Sequence, residues 1–197
     1  MTGAAPPPAG LSDPGHGLRL RAWGDEDAAA LAAAWAVPDV RGASRAPADR
    51  SPEAAARWIA GAGTRAATGL AVDLAVCALD GDEPWGEVGV VRRRLRAPAE
   101  GGGPTREQVV WEVGWWVLPD RRGRGVATAA VRLLGTWAGP ALGIGAWVAR
   151  IAPDHVASQR VAAGAGLTRR GRFDAEHELW AGPLPPGPPP GGAPGRV

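Results

Sequence analysis

The sequence predicts an α/β (α+β) domain: a mixed central β-sheet of about six to seven strands, flanked by about four helices. Three observations lead there. Strand-like and helix-like runs alternate along most of the 197 residues, which implies some parallel pairing. Two apolar runs joined through Asp80-Gly81 imply an antiparallel hairpin. A long apolar strand then ends in an Arg/Gly turn that opens directly into a helical period.

The elements follow in order. Residues 18–23 alternate apolar and polar and read as a strand. Asp25 or Asp27 caps a helix through the Ala-rich run to Trp35. Residues 38–50 read as a loop. Ser51-Pro52-Glu53 starts a second helix, with Ser as cap and Pro at the first helical position. Trp58, Ile59 and Ala62 form its apolar side. Strands at 70–79 and 85–95 form the hairpin. Residues 97–105 read as a Gly/Pro loop, and 109–118 as an apolar strand interrupted by Glu112 and Gly114. Residues 125–142 carry Val126, Ala130, Leu133, Leu134 and Trp137 on one helical face. A strand at 144–151, a helix at 157–165 and strands at 167–173 and 178–181 close the domain. Residues 1–16 and 185–197 are Pro/Gly-rich and expected to be disordered, leaving one domain over 17–184. No internal repeat is visible.

Composition excludes several chemistries. The chain has no Lys, no Asn and no Tyr. Lysine-dependent phosphate binding, Schiff bases and a phenol acid are therefore absent. A single cysteine, Cys77, rules out an internal disulfide and cysteine zinc clusters, and the strand around it makes it a small core residue. His16, His155 and His177 never reach metal-ligand spacing, so no metal is expected. No apolar run of about eighteen residues occurs, and the first residues do not read as a secretory signal, so a cytoplasmic protein without membrane contact is expected. The formal net charge is +2, which argues against a nucleic-acid partner. Arg92-Arg93-Arg94-Leu95-Arg96 reads as a solvated strand edge.

The chemistry concentrates in Trp111 to Thr128. Gly123 and Gly125 let backbone approach a ligand, and unpaired N–H groups at the helix start suit a diphosphate. Arg122 and Arg124 add positive charge. Alone, such a turn is equally a plain Gly-rich turn with solvated arginines.

Three motifs make the resemblance specific. Arg122-Gly123-Arg124-Gly125-Val126-Ala127 resembles the Q/R-x-x-G-x-G/A acetyl-CoA signature of the GCN5-related N-acetyltransferases (GNAT). Glu112-Val113-Gly114-Trp115-Trp116-Val117-Leu118-Pro119 resembles the E-I-G-Y-W-L-x-P strand of their RimJ/RimL-like branch. The stretch from Asp154-His155-Val156-Ala157-Ser158 to Gly166-Leu167 resembles that branch's D-N-x-A-S-x-R-V-x-x-K-x-G-F. Upstream, Leu18-Arg19-Leu20-Arg21 and Val37-Pro38-Asp39-Val40 are similar to its opening.

The resemblance implies a bacterial GNAT fold and transfer of acetyl from acetyl-CoA, a co-substrate, to a primary amine by direct attack in a ternary complex. The acceptor is a protein N-terminus or a small amine, and the chain a monomer or homodimer. An aminoglycoside-type acetyltransferase and an inactive acyl-CoA-binding module remain as alternatives. Pantetheine would pair with backbone at Trp116, Val117 and Leu118. The pyrophosphate would sit on Arg122, Gly123, Arg124, Gly125, Val126, Ala127 and Thr128, with His155 and Ser158 also at the cofactor. The Val117 N–H would receive the oxyanion. Glu112 maps to the base and Ser158 to the acid. The residues themselves allow two readings of each: Glu112 as a base raised by burial or as the partner of an Arg, Ser158 as an acid or as a helix-start residue. His155 stands where the branch has Asn, Trp115 where it has Tyr, and Gly164 where Lys is common. Trp35 and Trp58 flank the acceptor region or simply pack.

Overall fold

The computed structural model describes residues 11–43, 47–99 and 103–185. A chain with alternating apolar strands must cover both faces of the sheet they form, and the fold does so. Eight strands are ordered β1-β2-β3-β4-β5-β6-β8-β7. They are β1 (Ser12–Asp13), β2 (Leu18–Ala22), β3 (Ala71–Ala78), β4 (Pro84–Ala99), β5 (Gly103–Val117), β6 (Ala146–Ile151), β7 (Thr168–Arg172) and β8 (Glu178–Pro183). Six α-helices accompany them among the described residues: α1 (Ala28–Ala36), α2 (Pro38–Ala43), α3 (Pro52–Ala60), α4 (Ala62–Ala67), α5 (Val126–Leu142) and α6 (Val156–Gly164).

Strand alternation sorts side chains onto two cores. Leu18, Leu20, Leu74, Val76, Val88, Val90, Val113 and Val117 face α5 through Val126, Val131, Leu134 and Trp137. Ala75, Cys77 and Trp116 face the other way, against Trp23, Leu31, Trp35 and Val40 of the α1–α3 layer. Trp23 and Trp116 stack at 6.4 Å between centroids, and Trp35 meets Trp58 edge-on at 6.0 Å. Burial pushes the Cys77 thiol above its ordinary range, as expected of a core cysteine rather than a nucleophile.

All strand pairings are antiparallel except one. Strands β5 and β6 run parallel and share a single register pair, Glu112 with Val148. Beyond it the two strands part, β5 staying on β4 up to Gly86 opposite Val117, and β6 staying on β8.

Four expectations need correction. Residues 38–43 are helix α2 rather than loop. The Gly/Pro segment 97–105 is not a loop at its ends: Ala97 pairs with Arg106 and Ala99 with Gly103, because the two long arms keep exchanging backbone bonds past the neighbouring strands. Helix α4 was not anticipated, and the helix count rises accordingly. Part of the lead is ordered: Leu11 is buried, Ser12 and Asp13 pair with Arg19 and Leu18, and a 3-10 turn at Pro14–His16 follows. The expected disorder of residues 1–10 and 186–197 falls outside the described residues.

A buried ion pair ties the sheet to the first helix layer. Arg21 of β2 donates from Nη2 to Asp27 Oδ1 at 2.8 Å, and Asp27 also accepts the Gly24 N–H at 2.8 Å. Burial pushes the Asp27 carboxyl up, but the Arg21 and Gly24 hydrogen bonds outweigh it and hold the group below its ordinary range. A depressed carboxyl stabilises the fold above its unfolded pKa and ceases to do so as pH falls through the folded one. Stability is therefore expected to hold from neutrality down to about pH 4, then fall as Asp27 is protonated. Asp27→Asn should cost about 2 kcal/mol at pH 7 by taking the carboxylate from the part-buried Arg21, whose remaining anionic neighbour Asp82 lies 4.0 Å away, with less loss at pH 3, measured by denaturant unfolding at both pH values.

Candidate functional site

The turn after β5 is built by residues that tolerate unusual backbone. A 3-10 turn at Pro119–Arg121 leads into Gly123 at φ +75° and Gly125 at φ +77°. Gly125 is the N-cap of α5 and supplies no capping side chain; its carbonyl accepts the Ala129 N–H at 2.9 Å. The first-turn N–H groups of Val126, Ala127 and Thr128 thus precede the intrahelical ladder and carry the positive end of a 17-residue helix. A Cβ at Gly125 would lie 3.3 Å from the His16 ring, so the ordered lead braces the back of the turn.

The turn opens onto a cleft of about 420 Å³. Its walls include Trp116, Val117, Arg122, Gly123, Gly125, Val126, Ala127 and Thr128, with Ser158 of α6 and His155, the residue before that helix. Ten of the predicted site residues are therefore brought together there. Arg124 is exposed and outside the wall. Leu118 is outside it too: its N–H donates to the Trp85 carbonyl at 2.8 Å, toward β4. Backbone direction alternates along a strand, so the Trp115 and Val117 amides face the opening toward β6. The sequence reading omitted Trp115, although counting alternation from Leu118 would have found it.

Arg122 does not extend into the cleft as an unattached charge. Its Nε donates to the Val117 carbonyl and its Nη1 to Asp39, both at 2.8 Å, which fastens the turn to β5 and to α2. Asp39 was missed because 38–50 was read as a loop; Pro38 at a helix start followed by an acid was the available signal.

Glu112 sits at the parallel pair of β5 and β6 and is 5% exposed. It accepts from Arg150 Nε at 3.0 Å, Arg150 Nη2 at 3.3 Å and Arg93 Nε at 3.2 Å. The isolated strand charge of the sequence reading is thus a carboxylate between two guanidiniums. Its side chain lines a second, larger cleft of about 680 Å³ on the α1–α4 side of the sheet. Trp35 and Trp58 line that cleft as well, with Arg65 stacked on Trp58 at 4.4 Å. Four carboxylates reach it from four elements: Asp39, Asp73, Glu87 and Glu112. No acidic cluster was visible in the sequence, because these residues meet only through sheet register and helix packing. Asp39, Trp115, Trp116, His155 and Ser158 line both clefts and form their common wall. His155 caps α6, its Nδ1 accepting the Ser158 N–H at 3.1 Å.

Residues 17–168 match the model of the acetyltransferase (GNAT) domain. The chain belongs to the GNAT acetyltransferase family. Solved structures share the fold. RimJ of Mycobacterium smegmatis, in complex with CoA-disulfide, is 20% identical with a TM-score of 0.65, over 84% of this chain and 81% of that one. A ribosomal-protein-S5-alanine acetyltransferase from Vibrio fischeri is 18% identical at TM-score 0.65, over 84% and 92%. The microcin C7 self-immunity acetyltransferase MccE, in complex with acetyl-CoA and AMP, is 15% identical at TM-score 0.65, over 88% and 94%. None of the curated proteins matches the chain in sequence. No helix among the described residues is long and apolar enough to cross a membrane.

Gly125→Ala forces an L residue to φ +77° against the His16 ring and should cost about 1 to 2 kcal/mol, read by denaturant unfolding. The same change should weaken acetyl-CoA at least about tenfold by calorimetry, since the amides it displaces are those aimed at the cleft. Undiminished affinity would show that the turn does not bind phosphate.

Proposed function

We propose that this acetyltransferase moves acetyl from acetyl-CoA to a primary amine of a protein N-terminus or a small molecule, by direct attack within a ternary complex. The observation that carries the reading is the common wall: a cleft lined by the first residues of α5 meets a cleft lined by carboxylates, arginines and tryptophans. Acetyl-CoA supplies an activated thioester carbonyl. The amides of Val126, Ala127 and Thr128 would hold the diphosphate, helped by the α5 dipole. The backbone of Trp115 and Val117 would pair with pantetheine much as an added strand does, and the Val117 N–H would receive the acetyl oxygen.

On the acceptor side, the carboxylates attract an ammonium, and the tryptophans exclude water from it. Glu112 is the carboxylate at the strand junction and takes the ammonium's proton, because a protonated amine has no lone pair for attack. Ser158 lies in the common wall, where it would face the departing thiolate. A second reading is an acetyltransferase for a polyamine antibiotic of aminoglycoside type, and the four carboxylates of the larger cleft favour it. Arginine partners among these carboxylates favour the first: Arg122 on Asp39, Arg65 on Asp73, Arg93 and Arg150 on Glu112.

Calorimetry with acetyl-CoA, followed by thiol release across a panel of N-terminal peptides, small amines and aminoglycosides, tests the reading. Saturable binding and turnover on one amine class support it; binding without turnover on any amine identifies an inactive module. Glu112→Gln should lower kcat at least about 100-fold near neutral pH, with acetyl-CoA affinity and unfolding stability measured alongside to separate loss of the base from loosening of the fork. If turnover is unchanged across pH, Glu112 serves only as the anchor for Arg93 and Arg150.

A further inference from the structure

His155 occupies a position that fixes the location of its proton. It precedes α6, and its Nδ1 accepts the Ser158 N–H at 3.1 Å. A ring nitrogen that accepts a hydrogen bond carries no proton, so the neutral ring is protonated at Nε2. A second proton on Nδ1 would collide with the N–H that caps the helix. The ring therefore offers one donor, Nε2–H, and neither a general base nor an acid without losing its cap.

The cap gives that donor a fixed orientation in the common wall. Besides His155, this wall holds Asp39, Trp115, Trp116 and Ser158. Asp39 is an acceptor paired with Arg122, an indole N–H is a weaker donor than an imidazole N–H, and the Ser158 hydroxyl hydrogen rotates about its C–O bond instead of holding one direction. The charged groups around the ring are Arg122 and Asp39 across the cleft and Arg160 on α6. Glu112 with Arg150 and Arg93 lies at the floor, His177 lines the larger cleft, and Asp154 is next in sequence.

Resting on the acetyl-transfer reading, we infer that His155 is a fixed hydrogen-bond donor, through Nε2–H, to the sulfur as it leaves. The amine nitrogen bonds to the acetyl carbon, the C–S bond breaks, and the electron pair departs on sulfur. Nε2–H shares its proton with that thiolate without giving it up. The nitrogen sheds two protons in all: Glu112 takes one before attack and passes it to solvent, and the other, released after attack, reaches the thiolate through water.

Nitrogen-15 NMR of the full chain labelled at histidine tests this before any turnover is measured, with Glu112 and the rest of the site intact. His155→Asn identifies the His155 signals. In the free protein they should show the Nε2–H neutral form, and adding CoA should move the Nε2 signal more than desulfo-CoA does. His155→Ser keeps a cap but leaves no donor in reach, so CoA should bind about tenfold more weakly to it while desulfo-CoA is unaffected. Its kcat should fall about 100-fold, while His155→Asn, which caps and donates, retains most of the rate. An Nδ1–H ring in the free protein, or equal responses to CoA and desulfo-CoA, overturns the inference alone. Failure of the wild-type chain to bind CoA at all removes the acetyl-transfer reading and this inference with it.

Discussion

The parting of β5 from β6 is the constraint on which the site depends. The strands share one register pair, at Glu112 and Val148, and that pair is held where one carboxylate meets Arg93 of β4 and Arg150 of β6. Three strands are thereby pinned at one point. Just past it, β5 turns the Trp115 and Val117 N–H groups toward the opening, while Arg122 takes the Val117 carbonyl, and buried N–H groups are rarely left unmade. A ligand with its own amides is a natural partner for such an edge. The same carboxylate that fastens the fork faces the larger cleft, so the structural and chemical readings of Glu112 describe one residue with two dependents.

The remaining parts serve that opening. Apolar packing of α5 against Val113 and Val117 sets where its N-terminus lies relative to the end of β5. Two glycines in left-handed conformation make the reversal, and Arg122 ties it to Val117 and Asp39. On the opposite face, the tryptophan cluster around Trp116 and Trp35 fills the space between sheet and helices, leaving the larger cleft beside it. His155 joins the two by capping α6 at their common wall.

Much of this was legible in the sequence, for physical reasons. The long strands and α5 announce themselves by periodicity, and the Gly-rich turn by spacing. What escaped lacks a local signal. Helix α4 contains Gly63 and no apolar stripe, and β1 is two residues that exist only because Arg19 and Leu18 are there to pair with them. The length of the β4–β5 arms exceeds what their Pro and Gly content suggests, since pairing decides it. Glu112 was found as the odd charge in an apolar strand, whereas its partners come from 19 residues before and 38 after. The four carboxylates of the larger cleft, and the four arginines set among them, are likewise assembled from distant residues. Leu118 was placed on the cofactor side because a run of three residues was taken together; alternation sends its N–H to Trp85 instead.

Amide hydrogen exchange, followed residue by residue with and without acetyl-CoA, tests the fork most directly. The account predicts that acetyl-CoA slows exchange at Trp115, Val117 and the first turn of α5, while Leu118, already bonded to Trp85, changes little. Protection confined to other regions, or none at Val117 and the α5 start under saturating acetyl-CoA, would contradict it.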